Sequence, residues 1–298
     1  MKLSYYPGCT LKTKARNLDS TTVASMGALG IALEELPRWN CCGTVYSFAD
    51  DDLMHHLAPF RNLIRVQEEG QNRVVTVCSF CYNTLKRVNQ LVQHDAEKMK
   101  TINMFMDEEP DYKGQVQVVH LLEVLRDDVG FENIARQVKR PLNGLKVAPY
   151  YGCTLHRPIE AAIEPPHRRT SLPQLLEALG ATPVPFADAD TCCGSYQAVA
   201  RPEIVTKRVK EIITSSRTSG ADVIAVSCPL CECNLRQKQK DLREQGDWTE
   251  MPILYFTQLM ALALGLDPAL DACDSPGADP RPLLESRGLL PAGAGKKC

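Results

Sequence analysis

Val74-Val75-Thr76-Val77-Cys78-Ser79-Phe80-Cys81 and Val223-Ile224-Ala225-Val226-Ser227-Cys228-Pro229-Leu230-Cys231 decide how this chain is read. Each is a short, continuous, β-branched apolar run that leads into a CxxC pair. Unbroken apolar character, rather than alternation, marks a strand buried on both faces, as in a parallel sheet covered by helices. Working outward, Tyr82 to Leu91 reads as the helix after the first run. Lys2 to Tyr6 and Lys146 to Tyr150 read as further strands. Helical periodicity covers about Lys12 to Leu33, Leu172 to Leu179 and Glu203 to Ser215. Val116-Gln117-Val118-Val119 runs into the periodic Leu121-Leu122-Glu123-Val124-Leu125, and Ile253-Leu254-Tyr255-Phe256 runs into Leu259 to Leu264. Strands alternating with helices predict an α/β protein with mainly parallel sheets. The cysteines fall where strands hand over to helices, the place where ligands gather in such sheets.

The two runs belong to an internal repeat. Cys9, the tandem pair Cys41-Cys42 and the pair Cys78/Cys81 recur in the same order as Cys153, Cys192-Cys193 and Cys228/Cys231, with 31 and 38 residues in the first gap and 35 and 34 in the second. Local words recur too. Tyr5-Tyr6-Pro7-Gly8-Cys9-Thr10-Leu11 matches Tyr150-Tyr151-Gly152-Cys153-Thr154-Leu155, and Cys41-Cys42-Gly43 matches Cys192-Cys193-Gly194. The chain therefore divides into two duplicated, pseudo-symmetric α/β domains with cysteine-bearing loops, residues 1–144 and 145–265. Residues 266–298 form a Pro/Gly-rich tail expected to have little structure of its own.

The 298 residues are 44% hydrophobic and 23% charged, with a formal net charge of −2. That balance excludes a broad electrostatic footprint for nucleic acid or anionic membrane. No apolar run approaches the ~20 residues of a membrane helix, and Met1 to Pro7 has no signal-peptide character. A cytoplasmic protein is expected. A chain of this length needs no disulfide staples, and cytosolic thiols stay reduced. Thirteen clustered cysteines must therefore serve something they bind.

Five thiols per set limit the chemistry. Structural zinc takes four ligands, a thioredoxin-type CxxC uses two, and an ordinary cubane iron–sulfur cluster uses four. Each leaves thiols over. Adjacent cysteines such as Cys41-Cys42 can sit on neighbouring irons of a polynuclear cluster. Gly43 and Gly194 would let the backbone turn sharply beside it. An iron–sulfur assembly is the leading reading, with zinc and disulfide redox chemistry as alternatives.

The pattern of one cysteine, then Cys-Cys-Gly, then CxxC, occurring twice over roughly residues 1–266, resembles the CCG domain family in the form found in heterodisulfide reductase B subunits. Both sets are complete, and no ferredoxin-like run of closely spaced cysteines is appended. The resemblance implies two noncubane [4Fe-4S] clusters. One would be held by Cys9, Cys41, Cys42, Cys78 and Cys81, the other by Cys153, Cys192, Cys193, Cys228 and Cys231, with a disulfide substrate cleaved between them. It also implies electron delivery by the ferredoxin-like heterodisulfide reductase C subunit, fed in turn by the flavin-containing A subunit. The chain has no GxGxxG fingerprint for a nucleotide of its own. The alternative function is an electron-relay component of a CCG-type dehydrogenase complex that never touches substrate; a zinc-bearing structural component is a third.

Outside the ten, His156 and Arg157 follow Cys153 and are candidates for donating a proton or gripping an anion, against a simpler role in hydrogen bonding. Cys233 is expected to be a helix residue near the cluster, with Asn83 as its counterpart, and Cys273 and Cys298 to be free thiols of the tail. Lys12, Lys14 and Arg16 are expected on a solvated helix face. His55, His56, His94 and His167 are expected at the surface, and His120 packed or capping. Tyr5, Tyr6, Tyr150 and Tyr151 would shield the clusters or simply fill the core.

Overall fold

The structure, a computed structural model, describes residues 1–44, 52–165, 167–270 and 277–291. Two four-stranded sheets organise it. In the first, β1 (Lys2–Tyr5), β2 (Ala32–Glu35), β3 (Arg73–Thr76) and β4 (Gln117–His120) stand in the order β2-β1-β3-β4. In the second, β5 (Lys146–Tyr150), β6 (Thr182–Pro183), β7 (Val223–Val226) and β8 (Ile253–Tyr255) stand in the order β6-β5-β7-β8. Every pairing is parallel. The duplication read from the cysteines is thus a duplication of the whole sheet. All four residues of β7 are buried, as expected of an interior strand covered on both faces.

Helices α1 (Arg16–Ala28), α2 (Leu57–Glu68), α3 (Ser79–His94) and α4 (Ala96–Phe105) belong to the first half, with α5 (Leu121–Glu123) running into a π-helical stretch, Val124–Val129. After α6 (Phe131–Gln137) the second half adds α7 (Ser171–Ala178), α8 (Pro202–Thr218), α9 (Pro229–Glu244) and α10 (Phe256–Ala263). The helix expected from Lys12 to Leu33 is shorter than its pattern. Gly30 adopts φ +78°, the Gly30 N–H donates to the Gly27 carbonyl and the Ile31 N–H to the Met26 carbonyl. This glycine-centred cap ends the helix, and Ala32 to Glu35 beyond it form edge strand β2.

The halves grip each other reciprocally. Helix α10, which closes the second half, packs on α1 of the first, and α5 of the first packs on α7 of the second. Thr21 and Thr257 share a buried hydroxyl–hydroxyl bond of 2.8 Å across the first of these contacts. At the centre, the Ser79 and Ser227 hydroxyls meet at 2.9 Å. His120 completes this junction. Its Nδ1 accepts from the Leu122 N–H at 3.2 Å, so Nε2 carries the proton, 3.0 Å from both the Val77 carbonyl and the Ser227 hydroxyl. The packed, capping role expected of His120 is what the structure has.

The tail departs from expectation. Its described part contains helix α11 (Arg281–Ser286), with Leu284 and Leu289 buried. Arg140 donates to the Leu289 carbonyl and Arg287 pairs with Asp222. Leucines dock this otherwise Pro/Gly-rich segment, Leu284 and Leu289 buried and Leu283 and Leu290 packed against the core beside them. Cys273 and Cys298 lie outside the described residues.

Candidate functional site

In each sheet the chain runs from the first strand outward to the second, then returns to pair on the first strand's other side. That reversal opens a crevice at the carboxyl ends of the two central strands. Cys9 follows β1, Cys41-Cys42 follows β2, and Cys78 stands at the N-cap of α3 with Cys81 in its first turn. The second half repeats this, with Cys228 at the N-cap of α9. The fold thus gathers each set of five from three loops. In the first, Cys9 Sγ lies 3.4 Å from Cys41 Sγ and Cys42 Sγ 3.7 Å from Cys81 Sγ. In the second, Cys193 Sγ lies 3.5 Å from Cys231 Sγ. All eleven described cysteines are free thiols.

Two glycines shape each crevice. Gly8 (φ +78°) leaves a space in which a Cβ would stand 2.7 Å from Cys81 Sγ, and Gly152 (φ +65°) one in which it would stand 3.1 Å from Cys231 Sγ. The glycine after each tandem pair is left-handed too, Gly43 at φ +72° and Gly194 at φ +83°, as the required sharp turn demands. A buried tyrosine underlies each set. The Tyr6 hydroxyl donates to the Asn40 carbonyl, just before Cys41, and the Tyr150 hydroxyl to the Thr191 carbonyl, just before Cys192. Each phenol therefore ties the tandem loop to the central strand. The structural equivalence is Tyr6 with Tyr150, one step away from the alignment of the Tyr-Tyr words, because Tyr151 stands where the first half has Pro7.

The thiols are more numerous than their surroundings can ionise. A hydrogen bond from Cys41, then one from Cys81, holds Cys42 well below the usual thiol range, while sharing that proton pushes Cys81 well above it. The second half repeats the split, with Cys193 lowered mainly by Cys231 and Cys231 raised mainly by Cys193. Cys192 is lowered to about 6, chiefly by a hydrogen bond from Cys153. Burial raises Cys228, and negative charge on Cys78 adds to it; the adjacent residues, Ser79 and Ser227, touch at 2.9 Å, so the two sets meet at their inner ends. Full deprotonation needs a compensating cationic core among the sulfurs. Five thiols with no carboxylate among them, beside spaces that only glycine leaves open, fit an iron–sulfur group. The described His, Cys, Asp and Glu side chains form no group of three or more arranged for a single metal ion.

The other expected residues divide. His156 is 2% exposed, neither ring nitrogen is hydrogen-bonded, and Nε2 lies 3.7 Å from Glu164 Oε1. Tyr151 packs beside it with ring centroids 4.5 Å apart. Arg157 points outward, 61% exposed, and pairs with Asp190. The two do not converge on one point. Cys233 sits half-buried in α9, where negative charge on Cys193 contributes to raising it, after burial and Glu232. Its counterpart Asn83 donates to the Thr154 and Arg157 carbonyls at 2.6 and 2.8 Å, reaching across to the other half's first cysteine loop. Arg16 is exposed at the start of α1 as expected, and Lys14 is exposed but precedes the helix. Lys12 is not on a helix face: it precedes α1 and binds Asp19 and Glu35 at 2.8 and 2.7 Å. His56, the residue before α2, is buried rather than at the surface. Sequence reasoning missed Asn234, whose amide reaches Cys193 Sγ at 3.5 Å. Its place three residues after Cys231, on the same helix face, was the available signal.

The sequence profile of the cysteine-rich CCG domain matches residues 3–86 and 147–236, one match in each half. The chain belongs to the CCG family. Among its relatives, the 8-methylmenaquinol:fumarate reductase membrane anchor subunit of Wolinella succinogenes is 33% identical over 89% of this chain and 93% of its own length. The B subunit of the ferredoxin/F420H2-dependent CoB-CoM heterodisulfide reductase of Methanosarcina acetivorans is 29% identical over 90% of each chain. A protein of Archaeoglobus profundus described as like the heterodisulfide reductase B subunit is also 29% identical, over 90% of this chain and 92% of its own. A solved hypothetical protein from Helicobacter pylori shares the fold, with a TM-score of 0.72 at 12% identity over 91% of this chain; this chain spans half of it. CCG domains and these relatives together support an iron–sulfur redox component of a multi-subunit complex. Among the described residues, no helix is long and apolar enough to cross a membrane.

Proposed function

We propose that this chain is the catalytic iron–sulfur component of a heterodisulfide reductase-type complex, reducing or forming a disulfide between two noncubane [4Fe-4S] clusters. The observation that supports this reading is the pair of complete five-thiol sets whose CxxC segments meet at the 2.9 Å Ser79–Ser227 contact, each serine adjacent in sequence to Cys78 or Cys228. Cys9, Cys41, Cys42, Cys78 and Cys81 would hold one cluster, and Cys153, Cys192, Cys193, Cys228 and Cys231 the other. Together the clusters supply two one-electron centres for a two-electron disulfide reaction. The protein's own part is to hold and shelter. Tyr6 and Tyr150 fix the tandem loops, Gly8 and Gly152 keep the backbone close to the last cysteine, and the buried CxxC pairs exclude water. Electrons would arrive from a ferredoxin-like partner, itself supplied by a flavin-containing one, in the cytoplasm.

A second reading is favoured by the 33% identity to a component of a fumarate reductase. In it the clusters relay electrons to a partner and never meet a disulfide. Anaerobically purified protein separates the two. About eight irons per chain are expected, four for each set, with little zinc. With an artificial electron donor the wild type should reduce a disulfide. Cys42→Ala and Cys193→Ala should each abolish that activity while the untouched set keeps its iron. Disulfide reduction near the wild-type rate in a variant lacking one cluster would overturn the two-cluster reading, and its absence from fully loaded wild type would favour the relay.

A further inference from the structure

The two halves are not equal around their tandem cysteines. In the second, the Asn234 side-chain amide, 7% exposed, donates to Cys193 Sγ at 3.5 Å. The Gly194 N–H donates to Cys192 Sγ at 3.3 Å. The first half has Thr84 where the second has Asn234, three residues after the last cysteine in each case. Thr84 does not reach a sulfur: its hydroxyl pairs with the Thr44 hydroxyl at 2.7 Å. Thr44 follows Gly43 as Ser195 follows Gly194, and the buried Ser195 hydroxyl, facing no threonine like Thr84, has no partner. The Thr44–Thr84 pair thus closes on itself, whereas Asn234 is turned toward Cys193. Among the described residues, the side-chain contact from outside the cysteines to a first-set thiol is Thr10 Oγ1 on Cys9, at a loose 3.9 Å.

A hydrogen bond to a ligating thiolate withdraws charge from sulfur and favours the reduced, more negative state of the cluster it holds. We infer that Asn234 is a positioning residue that acts through Cys193 to make the second cluster more easily reduced than the first. The inference rests on the cluster reading above and deepens it, since two centres of one duplicated design become an unequal pair. Among side chains the inequality is carried by the Asn234 amide, not by the ligand sets, which are identical in composition.

Redox titration of the anaerobically purified full chain, followed by EPR with iron counted in the same samples, tests this. Asn234→Leu removes the donor at similar size, and Asn234→Thr installs the first-half residue. With wild-type iron content, each variant should show one reduction wave moved to lower potential and the other unmoved. The inference is overturned if both waves keep their wild-type midpoints in an iron-loaded variant, or if both move together. It is also overturned if both variants lose iron from the second set, because Asn234 would then be structural. A wild type with no iron at all would instead refute the cluster reading itself, so the two failures are told apart by the iron count.

Discussion

At the scale of single residues, the gathering of the cysteines into two groups is legible, because the same five-cysteine order occurs twice at the ends of strands. Their geometry is not. Nothing in the spacing says that the glycine before the first cysteine abuts the last one, yet Gly8 does so more tightly than Gly152. A Gly8→Ala chain would meet both a left-handed backbone, costing ~1–2 kcal/mol, and an overlap with Cys81 Sγ. We expect Gly8→Ala to lose most iron from the first set, and Gly152→Ala, with the wider clearance, to retain more of its own. Iron per chain, measured anaerobically on both variants, checks the order. The roles of Asn234 and Tyr6 escape a sequence reading for a common reason. They depend on partners on other elements, Cys193 and the Asn40 carbonyl, and a periodic pattern carries no information about those.

Elements are legible where burial and pattern coincide and obscure at edges. The interior strands β5 and β7 stand where the apolar runs place them. β2 reads as the end of a helix because an edge strand has no distinctive pattern; three of its four residues are exposed. The turn at the end of β4 makes a pH prediction. Burial, against the pull of the Val77 carbonyl and with help from Lys86, lowers His120 from 6.5 to about 3. The folded state then binds fewer protons than the unfolded one between those values. The stability this group allows at neutral pH is fully present above 6.5 and is lost as pH falls toward 3. His120→Gln should lower stability by ~1–3 kcal/mol at pH 7, the range for a disturbed buried hydrogen-bond partner. It should also make the further decline toward pH 4 shallower than in wild type. Melting temperatures of both proteins across that range check it, since acid loss of any bound group is common to the two.

At the scale of the whole molecule, the duplicated sheet is evident from the repeat, whereas the docking of the tail is not, because composition hides buried leucines among prolines and glycines. Leu284 is 0% exposed, and Leu284→Ala should cost ~2–5 kcal/mol, seen as a lowered Tm with cysteine loops unchanged. The reciprocal grip of α10 on α1 and α5 on α7 means that neither half presents its closing helix to solvent. The meeting of Ser79 and Ser227 has a further consequence. Two facing hydroxyls share a single proton between them, so one must give and the other must receive. His120 contacts Ser227 on one side of the junction, and the matching place at the end of β8 is Tyr255. Were the halves separate copies of one gene product, every substitution would appear on both sides of the axis, and the junction could only be symmetric on average. A single polypeptide removes that constraint. Each half is free to mutate alone, and ancestral sequence reconstruction can ask which side changed first.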